Sequence, residues 1–259
     1  MSSVPRFFIS GNIRAGDTVT LNAEDSYHAN KVLRLKKGDS AEVCDGKERV
    51  FIAIILSSAK AEVTLALSKE VKEKSESFLQ LTLYQGLLKG KKMDTVVQQA
   101  VECGVSRIVP LETMRSVALI KDRDHGAEKT ERWQKIARSA ASQSRRGVVP
   151  VVHKPVSLAD IIASGITGGG LNVIFWEESK EKSLPLKECK EILSENPVVN
   201  IIVGPEGGFD PSEAGLLRRS NNIFIFAGLG PRIMRAETAA VAALILIQAM
   251  LGDLQGDQK

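Results

Sequence analysis

The sequence offers little from which to build a metal site or a disulfide framework. Its 259 residues include three cysteines, Cys44, Cys103 and Cys189, and three histidines, His28, His125 and His153. No pair of cysteines has the CxxC spacing of a zinc site. An odd, scattered set of thiols fits a reducing cytoplasm rather than a secreted scaffold. None of the histidines sits beside a serine or cysteine motif, so each reads as a surface or packing residue. The N-terminus lacks an apolar core of signal-peptide type, and the longest apolar stretch, Ala239 to Ile247, is too short to cross a bilayer. Aromatic residues make up 5%, which argues against extensive stacking platforms for single-stranded nucleic acid. No segment is dominated by proline and glycine, and there is no internal repeat. The expectation is a cytoplasmic protein with no membrane span and no metal.

What remains is an ordinary globular balance, 43% hydrophobic and 25% charged residues, enough for one large domain or two modest ones. The net charge of +4 permits a polyanionic partner without requiring one.

Two regions differ in pattern. The first seventy or so residues are β-rich, with short apolar runs at Val19 to Leu21, Ala41 to Cys44 and Val50 to Leu56. Asp45-Gly46 between two such runs is a hairpin signal. Ser26 to Leu35 reads as a short helix with a basic end, and Ser68 to Ser77 as a charged linker. From Phe78 onward, strand and helix patterns alternate. Leu81 to Tyr84, Arg107 to Leu111, Leu171 to Trp176, Val198 to Val203 and Asn222 to Ala227 read as strands. Near-continuous apolar runs among them imply strands covered on both faces. Met93, Val96, Val97, Ala100 and Val101 share one helical face, and Gly104 stands where a helix-ending glycine belongs. Glu128 to Ser144 and Ala236 to Leu251 are further helices. Asp210-Pro211-Ser212-Glu213 has the cap, proline and acid of a helix start. The alternation predicts an α/β domain with a mainly parallel sheet.

Ligands of open α/β sheets bind at the carboxyl ends of the strands. Three such ends carry distinctive loops: Trp176-Glu177-Glu178, Gly204 to Phe209, and Gly228 to Arg235. Glycines there let the backbone approach a ligand closely. None of these loops spells the GxGxxG of dinucleotide sites. Gly86 to Lys92 falls one residue short of a Walker loop and lacks its Ser/Thr.

GPEGGF (Gly204 to Phe209) followed by LGPRIMRAETA (Leu229 to Ala239) closely resembles the signature of RsmE-type 16S ribosomal RNA uracil-N3 methyltransferases. The resemblance runs along nearly the whole chain. RFF (Arg6 to Phe8) and HANKVLRLKKGD (His28 to Asp39) match the family's N-terminal domain. QGLLKGKKMD (Gln85 to Asp94), ECGV (Glu102 to Val105) and RWQKIARSAASQSRR (Arg132 to Arg146) match its catalytic domain. Two positions depart from the pattern: Ser142 stands where the family usually has glutamate, and Leu88 where proline is common.

The resemblance implies a PUA-like β-barrel over residues 1–72 that binds RNA. It implies a SPOUT methyltransferase domain over residues 73–259, a mainly parallel sheet flanked by helices, with its C-terminal part tied in a trefoil knot. It also implies a homodimer, and S-adenosylmethionine bound bent in the knot loops. Glu177, Gly204, Pro205, Glu206, Gly207, Leu229, Gly230 and Ile233 would line the cofactor pocket. The reaction would be methyl transfer to a uracil nitrogen of 16S ribosomal RNA, within the small ribosomal subunit. Arg146 and Arg235 are candidates to stabilise charge on the uracil oxygens, and Glu237 to take the proton. Lys31, Arg34, Lys36, Lys37, Lys89 and Lys92 would contact phosphates. Two alternatives stay open: ribose 2′-O-methylation, whose enzymes carry a different loop, and a catalytically silent RNA-binding assembly factor.

Overall fold

The computed structural model describes residues 4–59, 62–72, 75–116, 123–164, 166, 169–179, 184–220 and 224–255. The chain divides into two units, Met1–Glu76 with Ser139–Val149, and Ser77–Arg138 with Pro150–Lys259. The sequence reading placed a single border after residue 72; the contacts place it after Glu76 and return 139–149 to the first unit.

The first unit contains β1 (Arg6–Phe8), β2 (Thr18–Thr20), α1 (Ala23–Tyr27), β3 (Ser40–Cys44), β4 (Arg49–Ser58) and β5 (Val63–Lys72). Its five-stranded sheet has the order β1-β3-β4-β5-β2, antiparallel except for the β1–β3 pair. Alternation decides which side is core: Phe51, Ala53 and Ile55 of β4 are buried while Ile54 and Leu56 between them are exposed. Leu65 and Leu67 of β5 join the same apolar cluster. The turn at Asp45-Gly46 joins β3 to β4 as an antiparallel pair. The stretch Ser68 to Ser77 is not all linker. β5 continues to Lys72, where Glu70 pairs across the sheet with Arg49 at 2.9 Å. A cross-strand charge pair on an exposed face keeps a polar segment extended.

Residues 139–149 are tied to the rest of this unit by buried charges. The Glu76 carboxylate accepts from Arg146 Nη2 at 2.6 Å and from the backbone N–H groups of Gly147 at 2.8 Å and Val148 at 3.1 Å. Glu42 accepts from Arg6 Nε at 2.9 Å and from Arg145 Nη2 at 2.6 Å. Ser142 donates its hydroxyl to the Arg6 carbonyl.

The second unit contains β6 (Gln80–Gly86), α2 (Lys92–Glu102), β7 (Arg107–Glu112), α3 (Arg123–Gln143, whose last turn belongs to the first unit), β8 (Val151–Val152), β9 (Val156–Ser157), α4 (Leu158–Ser164), β10 (Leu171–Phe175), α5 (Leu186–Glu195), β11 (Val198–Val203), α6 (Pro211–Arg219), β12 (Ile225–Ala227) and α7 (Ala236–Leu251). All pairings in its sheet are parallel, in the order β12-β10-β11-β6-β7-β8, with β9 also on β7. β6 and β11 are buried along almost their whole length, as strands covered on both faces must be. The apolar face of α2 is buried at Met93, Val96, Val97, Ala100 and Val101. The capping box of α6 forms as read, with Asp210 as cap, Glu213 bonding back, and Pro211 at the first position. The strand expected at Asn222 to Ala227 is observed over Ile225–Ala227, and residues 221–223 lie outside the described residues.

The Glu76–Arg146 pair generates a stability prediction. Its side chains are 15% and 4% exposed, so removing one partner strands a charge. Arg146→Ala is expected to lower the unfolding free energy in urea by about 3–5 kcal/mol. The double variant Glu76→Gln/Arg146→Met should recover most of that loss; a neutral Arg146→Ala would show that the pair contributes nothing.

Candidate active site

β12, β10 and β11 lie side by side and parallel, so the loops leaving their carboxyl ends emerge along one edge of the sheet. These loops, 176–179, 204–208 and 228–235, line one cavity of about 320 Å³. That volume is at the lower end of small-molecule sites.

β6, on the other side of β11, holds the second loop in place. Buried Gln85 donates its amide to the carbonyls of Gly86 at 3.0 Å and Gly204 at 3.1 Å. The backbone of Gly86 lies so close to the loop that a Cβ there would stand 2.4 Å from the Pro205 nitrogen. Gly208, at φ +67°, is equally constrained: a Cβ would meet Glu177 Oε1 at 2.0 Å. Glycine at these two positions lets β6 abut the second loop and the Glu177 side chain rest on the same loop.

Seven of the eight expected cofactor residues line the cavity: Glu177, Gly204, Pro205, Glu206, Leu229, Gly230 and Ile233. The eighth, Gly207, does not; its carbonyl accepts from Arg115 Nη1 at 3.0 Å. The Glu206 carboxylate is engaged by Lys92 Nζ at 2.9 Å and by the Lys89 amide at 3.3 Å. Burial works to raise the Glu206 pKa, but the hydrogen bonds from Lys92 and Lys89, with the Lys92 charge, outweigh it and hold the group below its ordinary value. The pair is therefore intact at neutral pH and is lost as pH falls through the Glu206 pKa.

Of the catalytic candidates, Arg235 and Glu237 line the cavity. Arg235 precedes the first turn of α7, and its guanidinium has no ion-pair partner among the described residues. Glu237 Oε2 is buried without a hydrogen-bond partner among the described residues. Arg146 belongs to the other unit, is 3% exposed and is bound to Glu76. Of the basic candidates, Lys92 lines the cavity, Lys89 touches Glu206 through its amide, and Lys31, Arg34, Lys36 and Lys37 are exposed on the first unit.

The cavity also uses loop residues to which the sequence reading gave no role. Trp176 packs edge-on to Phe226 at 6.3 Å, and its Nε1 is buried without a partner among the described residues. Arg232 and Met234 complete the third wall. Trp176 ends an apolar run next to an acidic pair, the one local sign of its place. Apolar side chains beside an orphaned donor and an orphaned acceptor suit a ligand that is part flat and apolar, part hydrogen-bonding.

A model of the RNA methyltransferase domain matches residues 74–248, and a model of the RNA methyltransferase PUA domain matches residues 21–68. The chain belongs to the RNA methyltransferase family. Its similar curated relatives carry a narrower name, ribosomal RNA small subunit methyltransferase E. One from Buchnera aphidicola is 31% identical over 97% of this chain and 96% of the relative. Another from Bacillus subtilis is 30% identical over 98% of this chain and 99% of the relative. Among solved structures, a methyltransferase from Legionella pneumophila in complex with the cofactor SAM superposes with a TM-score of 0.84 at 30% identity, covering 95% of this chain and 97% of that one. A ribosomal RNA small subunit methyltransferase E from Neisseria gonorrhoeae bound to S-adenosylmethionine gives 0.82 at 27% identity, covering 95% and 98%.

The contact at Gly86 is backbone against backbone, with no flexible side chain to yield. Gly86→Ala is expected to cost about 1–3 kcal/mol or more, read as a lowered calorimetric Tm. An unchanged Tm would mean that β6 and the second loop do not abut.

Proposed function

We propose that this chain methylates N3 of a specific uridine in 16S ribosomal RNA of the small ribosomal subunit, with S-adenosylmethionine as donor. The observation that carries the reading is one cavity in which two glycine loops converge with an arginine and a buried carboxylate oxygen that have no partner among the described residues. The relatives' names and the cofactor held by the two solved structures support the donor and the substrate class.

The residues fit the donor. Leu229, Ile233 and Met234 offer an apolar slot for an adenine ring, and the backbone of Gly204 to Gly208 can approach its polar edge. When bound, S-adenosylmethionine supplies a methyl group on a cationic sulfur. Glu177 and Glu206 bring negative charge to that side of the cavity, although Glu206 shares its charge with Lys92. The acceptor nitrogen of uracil carries a proton at neutral pH and is a poor nucleophile until that proton leaves. Glu237 takes the proton at its unpartnered Oε2. Arg235 meets the negative charge that spreads onto the flanking carbonyl oxygens. Arg146, held by Glu76, serves this reading by fixing the end of α3 within the first unit.

RNA is positioned through phosphate contacts by Lys31, Arg34, Lys36 and Lys37 on the PUA-like unit and by Lys89 and Lys92 near the cavity. The C-terminal part forms the trefoil knot, a reading supported by the Gly86–Pro205 approach and by α7 packing back on α2 and β6. A second copy of the chain covers the flank of α7, where Leu246 and Met250, with Leu184, line a cavity of about 390 Å³ that shares Leu229, Gly230 and Met234 with the first. A cytoplasmic setting, beside the ribosomes, suits the few scattered cysteines, Cys44, Cys103 and Cys189.

The test is to digest 16S ribosomal RNA from cells with and without this protein to nucleosides and map the methyl by mass. Loss of one base-methylated uridine is expected. Loss of a ribose methyl, or no loss, would overturn the reading. With purified protein, Arg235→Ala is expected to lower kcat about 10²–10³-fold, and Glu237→Gln by about 10²-fold or more, with donor affinity by calorimetry nearly unchanged. A loss confined to donor binding would assign both residues to the cofactor instead.

A further inference from the structure

The first unit carries an exposed surface that the cavity chemistry leaves unused. α1 ends at Tyr27 and runs directly into a π-helical turn, His28–Val32, in which the Leu33 amide donates to the His28 carbonyl at 3.0 Å. Tyr27 is 62% exposed, Val32 59% and Leu33 39%. Tyr27 and Val32, five residues apart across a π-turn, fall on the same side of it. Arg34 follows at φ +56°, a left-handed conformation that a side chain adopts only at a cost.

The segment is nevertheless firmly anchored. Ala29 is buried, Asn30 donates to the Ala59 carbonyl at 2.7 Å, and Ser58 donates to the Leu35 carbonyl at 2.9 Å. The apolar side chains are thus displayed by a rigid scaffold rather than left over by a loose one. Lys31, Arg34, Lys36 and Lys37 lie in the same stretch of chain, all exposed and without a carboxylate partner among the described residues. Of the acids in the same stretch Glu24 is exposed, and the other two are turned to local work. Asp25 accepts from the Asn22 amide at 2.8 Å, and Asp39 from the Lys36 backbone N–H at 2.7 Å.

We infer that Tyr27, backed by Val32 and Leu33, stacks an unpaired base of the RNA, while Lys31, Arg34, Lys36 and Lys37 hold the phosphates on either side of it. This deepens, and rests on, the reading of the chain as a ribosomal RNA methyltransferase. A base-paired stretch hides its ring faces, whereas a looped-out or single-stranded nucleotide offers one to a solvent-facing aromatic ring. An exposed ring on a segment rich in exposed cations matches both parts of such a nucleotide, the flat base and the flanking phosphate charge.

The test uses the full-length protein, a fluorescein-labelled single-stranded RNA and a duplex of the same length, with anisotropy read over a range of salt. Tyr27→Ala is expected to weaken single-strand binding roughly five- to a hundredfold, leave duplex binding unchanged and leave the salt slope unchanged. Tyr27→Phe should retain affinity. Lys36→Gln should instead lower the salt slope by about one. Tyr27 is a surface residue, and an unchanged Tm for each variant shows that folding is not the cause. Wild-type affinity of Tyr27→Ala for single strands would overturn the inference. So would equal losses on single strand and duplex, or Tyr27-dependent binding only to anionic lipid vesicles. Methyl transfer to 16S RNA measured on the wild-type chain separates the two readings. If transfer occurs and Tyr27→Ala binds normally, only the stacking fails. If no transfer occurs while the single-strand loss appears, the surface stands and the enzymatic reading fails.

Discussion

Everything at the cavity depends on backbone touching backbone where β6 ends. The loop after β11 can face the loops after β10 and β12 only because its first residues are pressed against Gly86 and held there by the Gln85 amide. Dense interiors transmit such contacts without slack. The parallel sheet supplies the alignment, since four neighbouring strands deliver their carboxyl ends to one edge. The glycines then decide how near the loops can come. A larger residue at Gly86 would move a loop rather than a side-chain tip, and at Gly208 it would displace the Glu177 carboxylate from the cavity wall.

Much of this was written locally in the chain. The period of α2, the apolar runs of β7, β10 and β11 and the four-residue start of α6 are short-range patterns, and each formed where the pattern stood. The glycine loops were legible because their spacing marks two strand ends. What could not be read were partnerships across long stretches of chain. Arg146 looked free at a helix end, yet its partner Glu76 lies 70 positions earlier. Glu206 and Lys92 are 114 positions apart, so a carboxylate that reads as available in sequence is already engaged. Ser142, at a position where a glutamate would be usual, bonds the Arg6 carbonyl 136 positions away. The charged end of β5 read as linker because strand pairing, not composition, keeps it extended. α4 spans only seven residues and β1 three, too few for any period to emerge.

The two units use charge differently. In the first, Arg6, Glu42, Glu76 and Arg146 are drawn inward and, with the exposed Arg145, spend their charges on one another, which fixes the end of α3 among the strands. Once those ions are committed, Lys31, Arg34, Lys36 and Lys37 remain exposed on the same unit. In the second unit the reverse holds. Among the described residues, the buried Trp176 Nε1 and Glu237 Oε2 at the cavity are left without partners, in a fold whose other buried polar groups are mostly paired. Unspent hydrogen-bonding capacity concentrated in one place is what separates a site from a core.

The clasp between Lys92 and Glu206 has a consequence for traffic through the cavity. With side chains 41% and 25% exposed, the pair is nearer to a surface contact than to a buried one, and opening it costs about 0–1 kcal/mol. Any visitor bearing positive charge competes with an ammonium already seated on that carboxylate. Each time the visitor wins, the displaced lysine swings free and the rim becomes more positive by one unit. The doorway thus changes its electrical character according to what is inside, and polyanions outside feel the difference within about 8–10 Å, the distance over which physiological salt screens a charge.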